Sequence, residues 1–104
     1  MIKSLLERSA SIAEICVRHR VRSLDVFGSA ARESGFVPGV SDFDFVVEFV
    51  PLAPGEHFDE YFGLAEDLER LLGGGVELVE LKAVRNEVFR RAVAGERQAV
   101  YAAA

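Results

Sequence analysis

Between residues 42 and 49 the chain alternates without a break. Phe43, Phe45, Val47 and Phe49 take the odd positions, and Asp42, Asp44, Val46 and Glu48 the even ones. A period of two belongs to a β-strand, whose successive side chains point to opposite faces. The aromatic face has to be buried, so the two aspartates are expected together on the other face, at the start of this strand. Leu24, Val26 and Phe27 mark an earlier strand over 23–27 that runs into Gly28-Ser29. A third strand is expected over 76–81, with Val76 and Leu78 on one face and Glu77 and Val79 on the other.

Helical periods fill the rest. Leu5, Ile12, Ile15, Cys16 and His19 share one face of a helix over 4–20, with two capping-box spellings, Ser4-x-x-Glu7 and Ser11-x-x-Glu14, competing for its start. Pro51 and Pro54-Gly55 make a loop before a helix over 58–72. Its apolar stripe is Phe58, Tyr61, Phe62, Ala65, Leu68, Leu71 and Leu72, and Gly73-Gly74-Gly75 ends it. A last helix over 83–94 turns Val84, Val88, Ala92 and Val93 inward and stops at Gly95. Residues 98–101 read either as a short strand or as a tail. The predicted class is α/β (α+β): a small mixed sheet of three to four strands with helices mainly on one face.

Candidate chemistry lies at two points of this pattern. Gly28-Ser29 ends a strand where a helix can begin, and backbone amides at such a turn suit a phosphate group. Glycine lets a phosphate approach the backbone and the serine hydroxyl can donate to it, although Ser29 would serve equally as an ordinary helix N-cap. Asp42 and Asp44, about 7 Å apart along their strand, can converge on a pair of hard cations about 4 Å apart. Alone, such a pair reads as turn or edge-strand charge. Beside a phosphate turn it reads as the equipment of phosphoryl or nucleotidyl transfer. Arg32 either neutralises phosphate or is a surface arginine. Arg18, Arg20 and Arg22, with Glu48 and His57, read as solvated, and His19 as a helix-end residue near the C-terminal dipole.

Composition narrows the partners. With 104 residues the chain is expected to form one domain, 1–104, and with half of them hydrophobic and 28% charged it is globular. A mean hydropathy of +0.17 is high for so small a domain and predicts an apolar patch covered by a partner or by self-association. A net charge of −5 argues against direct nucleic-acid binding. The single Cys16 excludes a disulfide framework and a cysteine metal site. The N-terminal stretch lacks an apolar signal core and no run can span a bilayer, so a cytoplasmic protein with no membrane association is expected.

Gly28-Ser29, Ala31-Arg32, Ser41-Asp42-Phe43-Asp44 with the Val-Val-Glu-Phe that follows, the run 65–72 and Val76-Glu77-Leu78-Val79 together cover most of the chain. In these features it resembles the DNA polymerase beta-like nucleotidyltransferase superfamily, and within it the minimal nucleotidyltransferases. The resemblance implies that Asp42 and Asp44 hold two magnesium ions, that Glu77 stands where the family has its third acid, normally Asp, and that Gly28, Ser29 and Arg32 bind the nucleotide, ATP. Twelve residues separate Ser29 from Asp42 where ten are usual, and Glu33 stands where many relatives have glycine. It also implies transfer of AMP to a hydroxyl of a partner protein, with the chain as antitoxin of a HEPN-domain toxin. The alternative is neutralisation of the partner by binding alone. Transfer to an aminoglycoside-type antibiotic is the weaker third reading, because such enzymes need additional substrate-binding structure.

Overall fold

The aromatic strand forms as the alternation predicts, and the rest of the molecule is built against its buried face. The computed structural model describes all 104 residues. Its helices are α1 (Lys3–Glu7), α2 (Ser9–Arg18), α3 (Ser29–Arg32), α4 (Glu56–Leu72) and α5 (Glu87–Glu96), with a 3-10 turn at Leu81–Ala83. The strands are β1 (Val21–Phe27), β2 (Phe43–Phe49), β3 (Val76–Val79) and β4 (Gln98–Ala102), in the order β3-β2-β1-β4. β1 is antiparallel to both β2 and β4, whereas β2 and β3 are parallel, with α4 as their crossover. The sheet is therefore mixed, and residues 98–102 are a strand and not a tail.

The main core lies between the sheet and α1, α2 and α4. Phe43, Phe45, Val47 and Phe49 meet Leu24 and Val26 of β1, Leu5, Ile12, Ile15 and Cys16 below, and Leu64 and Leu68 from α4. The Cys16 thiol is pushed up to about 12 by burial, which leaves it unreactive. The opposite face is not wholly open. Phe27, Val46 and Val93 form a second, three-residue cluster there, so Val46 is covered by α5 and is buried in spite of sharing a face with the aspartates.

Several local expectations differ. The first helix is two helices, broken at Arg8, and neither serine caps: the N-caps are Ile2 and Arg8, without side-chain hydrogen bonds. At the break the Arg8 guanidinium donates to the Leu71 carbonyl at the end of α4. In α4 the buried residues are Leu64 and Leu68, whereas Phe58 and Phe62 are exposed, 65% and 53%. The helix also begins earlier than its apolar stripe and takes in His57, because the Glu56 carboxylate reaches back to the Ala53 amide at 2.8 Å. The last helix starts at Glu87, where the Asn86 side chain accepts from the Phe89 amide, and it runs through Gly95. Of its four expected inward residues only Val93 is buried; Val88 and Ala92 face solvent. β3 stops at Val79, and the chain turns into the 3-10 segment.

His19 ends α2 and ties it to α4, with Nε2 2.7 Å from Asp67 Oδ2 and Nδ1 3.3 Å from Glu60 Oε1. Its ring lies on Gly63, where a Cβ would come within 2.6 Å of it. The arginines expected to be solvated are exposed, and each also forms an ion pair there: Arg18 with Asp67, Arg20 with Glu56 and Glu60, and Arg22 with Glu48. Glu48 also meets Lys82, and His57 meets Glu80.

Phe45 is fully buried. Phe45→Ala is expected to cost about 3–5 kcal/mol in urea melts; a loss below about 1 kcal/mol, the scale of a surface change, would contradict this packing. Glu33 terminates α3 in a left-handed conformation, φ 72°, the region that favours glycine. Its ion pair with the N-terminus is long, 3.9 Å, and exposed. Glu33→Gly is therefore expected to stabilise the protein by about 1 kcal/mol, read from the same melts.

Candidate active site

Strand register assembles the corner. In the antiparallel pair Phe27 stands opposite Asp44, so the next residue, Gly28, falls beside that aspartate. In the parallel pair Asp44 stands level with Glu77. The period of two puts Asp44 and Glu77 on the face away from the main core, and Asp42 lies just before β2, exposed. The three expected acids and the Gly28-Ser29 turn thus come together at one end of the sheet.

Two glycines make room for the two aspartates. A Cβ on Gly28 would lie 2.5 Å from Asp44 Oδ2, and one on Gly75 would lie 2.4 Å from Asp42 Oδ1. No side chain fits at either position without moving a carboxylate. Gly28 also has φ 70° and ψ −155°, a conformation open essentially to glycine alone. Gly75 is held in place by its carbonyl, which accepts the Phe43 amide at 2.8 Å. In the sequence Gly75 reads only as part of a helix stop, because its second role depends on a strand pairing. Ser29 is not the N-cap: it is already the first residue of α3, and Gly28 caps without a side-chain hydrogen bond.

The turn does hold an anion, but one supplied by the chain. The Gly28 amide donates to Glu96 Oε1 at 3.0 Å, and Arg32 Nη1 donates to Glu96 Oε2 at 2.8 Å. Glu96 ends α5, sixty-eight positions from Gly28. Nothing local marks it in the sequence, and only the packing of α5 across β1 and β2 brings it here.

Crowding of carboxylates dominates the electrostatics. Asp44 is raised to about 6, first by burial, then by Glu77 through its charge and a hydrogen bond, and further by Asp42 and Glu96. Glu96 is held below the usual carboxylate range by Arg32, burial opposing and the Gly28 amide adding to the effect. The three acids do not already stand close enough together to chelate one ion. Their chemistry nevertheless fits magnesium: all are hard oxygen donors, the aspartates have glycine cradles, and a divalent charge would relieve the repulsion on Asp44. Asp42 and Glu77 are exposed.

Two surface clefts lie elsewhere. One, about 380 Å³, sits toward the far end of β2 among Glu48, Phe49, Pro51, Leu52, Lys82 and Arg97. The other, about 460 Å³, is apolar and runs between α4 and β3, lined by Phe58, Tyr61, Phe62, Val79 and Val84.

Residues 10–103 match the family model for "Polymerase beta, Nucleotidyltransferase". The chain belongs to this nucleotidyltransferase family. It is 34% identical over 92 residues to the "Putative protein adenylyltransferase MJ1379" of Methanocaldococcus jannaschii, covering 88% of this chain and 87% of that one. Among solved structures it is similar to a "putative minimal nucleotidyltransferase", with a TM-score of 0.71, 30% identity and 92% of both chains covered. The fold is also that of a toxin–antitoxin structure with AMP-PNP, TM-score 0.68 and 18% identity, covering 91% of this chain and 73% of that one. A tri-AMPylated Shewanella oneidensis HEPN toxin in complex with its MNT antitoxin matches with a TM-score of 0.64 at 17% identity, covering 95% and 73%. In this nucleotidyltransferase no helix is long and apolar enough to cross a membrane.

An aspartate raised above its ordinary value costs stability wherever it is ionised. The cost is full at neutral pH and vanishes as pH falls through about 6 toward the ordinary value. In metal-free buffer Asp44→Asn is therefore expected to raise Tm at pH 7.5 and to lose that advantage by about pH 4. Equal Tm values for the variant and the wild type at neutral pH would show that burial and the neighbouring acids do not raise Asp44.

Proposed function

We propose that the chain, acting as a single minimal nucleotidyltransferase domain, moves AMP from ATP to a hydroxyl of a partner protein. One observation carries this reading: the acids and an anion-holding turn share a corner, with Asp44 level with Glu77 and packed on Gly28. The family membership and the adenylyltransferase relative support it.

The Gly28 amide, the Ser29 hydroxyl and Arg32 would hold the β- and γ-phosphates. Asp42, Asp44 and Glu77 would hold two magnesium ions, which supply charge neutralisation on the triphosphate and at the attacking oxygen. The acceptor oxygen attacks the α-phosphorus, its new O–P bond forming as the bond from that phosphorus to the bridging oxygen breaks. Pyrophosphate leaves and the hydroxyl proton passes to the Glu77 carboxylate. Glutamate here adds one methylene to the usual aspartate, which its exposed position on β3 accommodates. The HEPN toxins of the structurally similar complexes suggest the acceptor class. The exposed Phe58 and Phe62 supply apolar surface for a partner of that kind or for self-association.

A second reading is neutralisation of the toxin by binding alone. It is favoured by Glu96 on the phosphate turn and by the acids not yet forming a chelating set.

Mass analysis of a co-expressed toxin with Mg-ATP separates the two. Asp42→Asn and Asp44→Asn are each expected to abolish the +AMP species while leaving the fold intact. Glu77→Gln should lower the rate by orders of magnitude, and Glu77→Asp should keep or raise it. Growth rescue by a variant in which Asp42, Asp44 and Glu77 are all replaced, with no +AMP species from the wild type, would overturn the enzymatic reading. Loss of rescue with the complex retained on gel filtration would overturn the binding one.

A further inference from the structure

We infer that Glu96 is a built-in competitor for nucleotide, its carboxylate occupying the groups that a triphosphate would use. The inference rests on the nucleotide reading above and adds a control to the same site. Both carboxylate oxygens are engaged, one by the Gly28 amide at 3.0 Å and the other by Arg32 at 2.8 Å. These are charge-assisted hydrogen bonds to a planar anion, the interactions by which a phosphate would be held. A phosphate and Glu96 cannot share the single Gly28 N–H.

Position makes this contact more than a surface ion pair. Gly28 packs on Asp44, so Glu96 adds a further negative charge to a corner already crowded with acids. Arg32 and the Gly28 amide hold the carboxylate there in spite of those acids. The backbone around it is fastened independently: Arg97 pairs with Asp25 at 2.6 Å, and the Gln98 side chain donates to the Ala31 carbonyl at 3.0 Å. Glu96 can therefore leave by rotation of its own side chain, with α5 and β4 staying where they are. Nucleotide binding becomes an exchange of one anion for another, and the apparent affinity is lower than the turn would otherwise give.

The test measures Mg-ATP binding by calorimetry in wild type, Glu96→Gln and Glu96→Ala. Both variants are expected to bind about tenfold tighter, as for removal of a competing charged hydrogen bond. Unchanged or weaker binding by both, with wild type binding normally, overturns the competitor role and leaves the nucleotide reading intact. Absence of binding by all three, with no response of the Gly28 amide in NMR, overturns the nucleotide reading itself. A second measurement needs no substitution. In wild-type protein, inorganic triphosphate and Mg-ATP should each shift the Gly28 amide and the Glu96 side-chain carboxyl carbon together. A shift at Gly28 with Glu96 unmoved would overturn the competitor role.

Discussion

Burial of the aromatic face of β2 is the constraint on which everything else depends. Phe43, Phe45 and Phe49 cannot remain in water, so β2 has a single acceptable orientation against α1, α2 and α4. Once that face is fixed, the pleat sends Asp44 to the other side. A slip of one residue would bury Asp44 and expose three phenylalanines, at a cost no small domain could meet. The two neighbouring registers then place Gly28 on one flank of Asp44 and Glu77 on the other. The candidate site is a by-product of core packing, which gives it a rigid base.

The acids of the corner stand against the pattern of the rest of the surface. Elsewhere opposite charges are matched: three arginines and His19 around the α2–β1 junction are all answered by carboxylates of α4 and β2. At the corner, Asp42, Asp44, Glu77 and Glu96 gather with Arg32 as the one cation bonded among them. Such an arrangement lowers stability in the absence of a cation, and proteins keep it where binding or chemistry needs it. Local glycines are the second sign of purpose. Gly28 and Gly75 each leave a space that an aspartate fills, from opposite ends of the chain's α3–α4 span.

The apolar surplus of the composition also has a place. Part of it lies on Phe58 and Phe62 of α4, beside the β3 edge, and on Val37 and Val40 of the loop leading to Asp42, with Leu6, Val17 and Val88 exposed elsewhere. The edge itself is partly closed, since the Tyr61 hydroxyl donates to the Leu78 carbonyl at 2.7 Å.

How much of this was legible in the chain depends on the range of each interaction. Alternation over 42–49 determined the strand, its buried face and the outward aspartates, because pleat and hydrophobicity act within a few residues. Gly28-Ser29 announced a turn for the same reason, and Gly73 a helix end, its φ of 72° agreeing with the glycine run. Helix ends and inward faces were less legible. The first helix breaks at Arg8, whose side chain bonds α4, and the face of α4 that is buried is set by where the sheet lies, which left Phe58 and Phe62 outside and Leu64 within. Val46 looked like part of an open face until α5 brought Val93 over it. Glu96 lay beyond reach altogether, since its partners stand more than sixty residues away and no local pattern distinguishes it from any solvated helix-end glutamate. The sequence by itself decided which side chains needed burial; only the tertiary structure decided which charges would then have to meet.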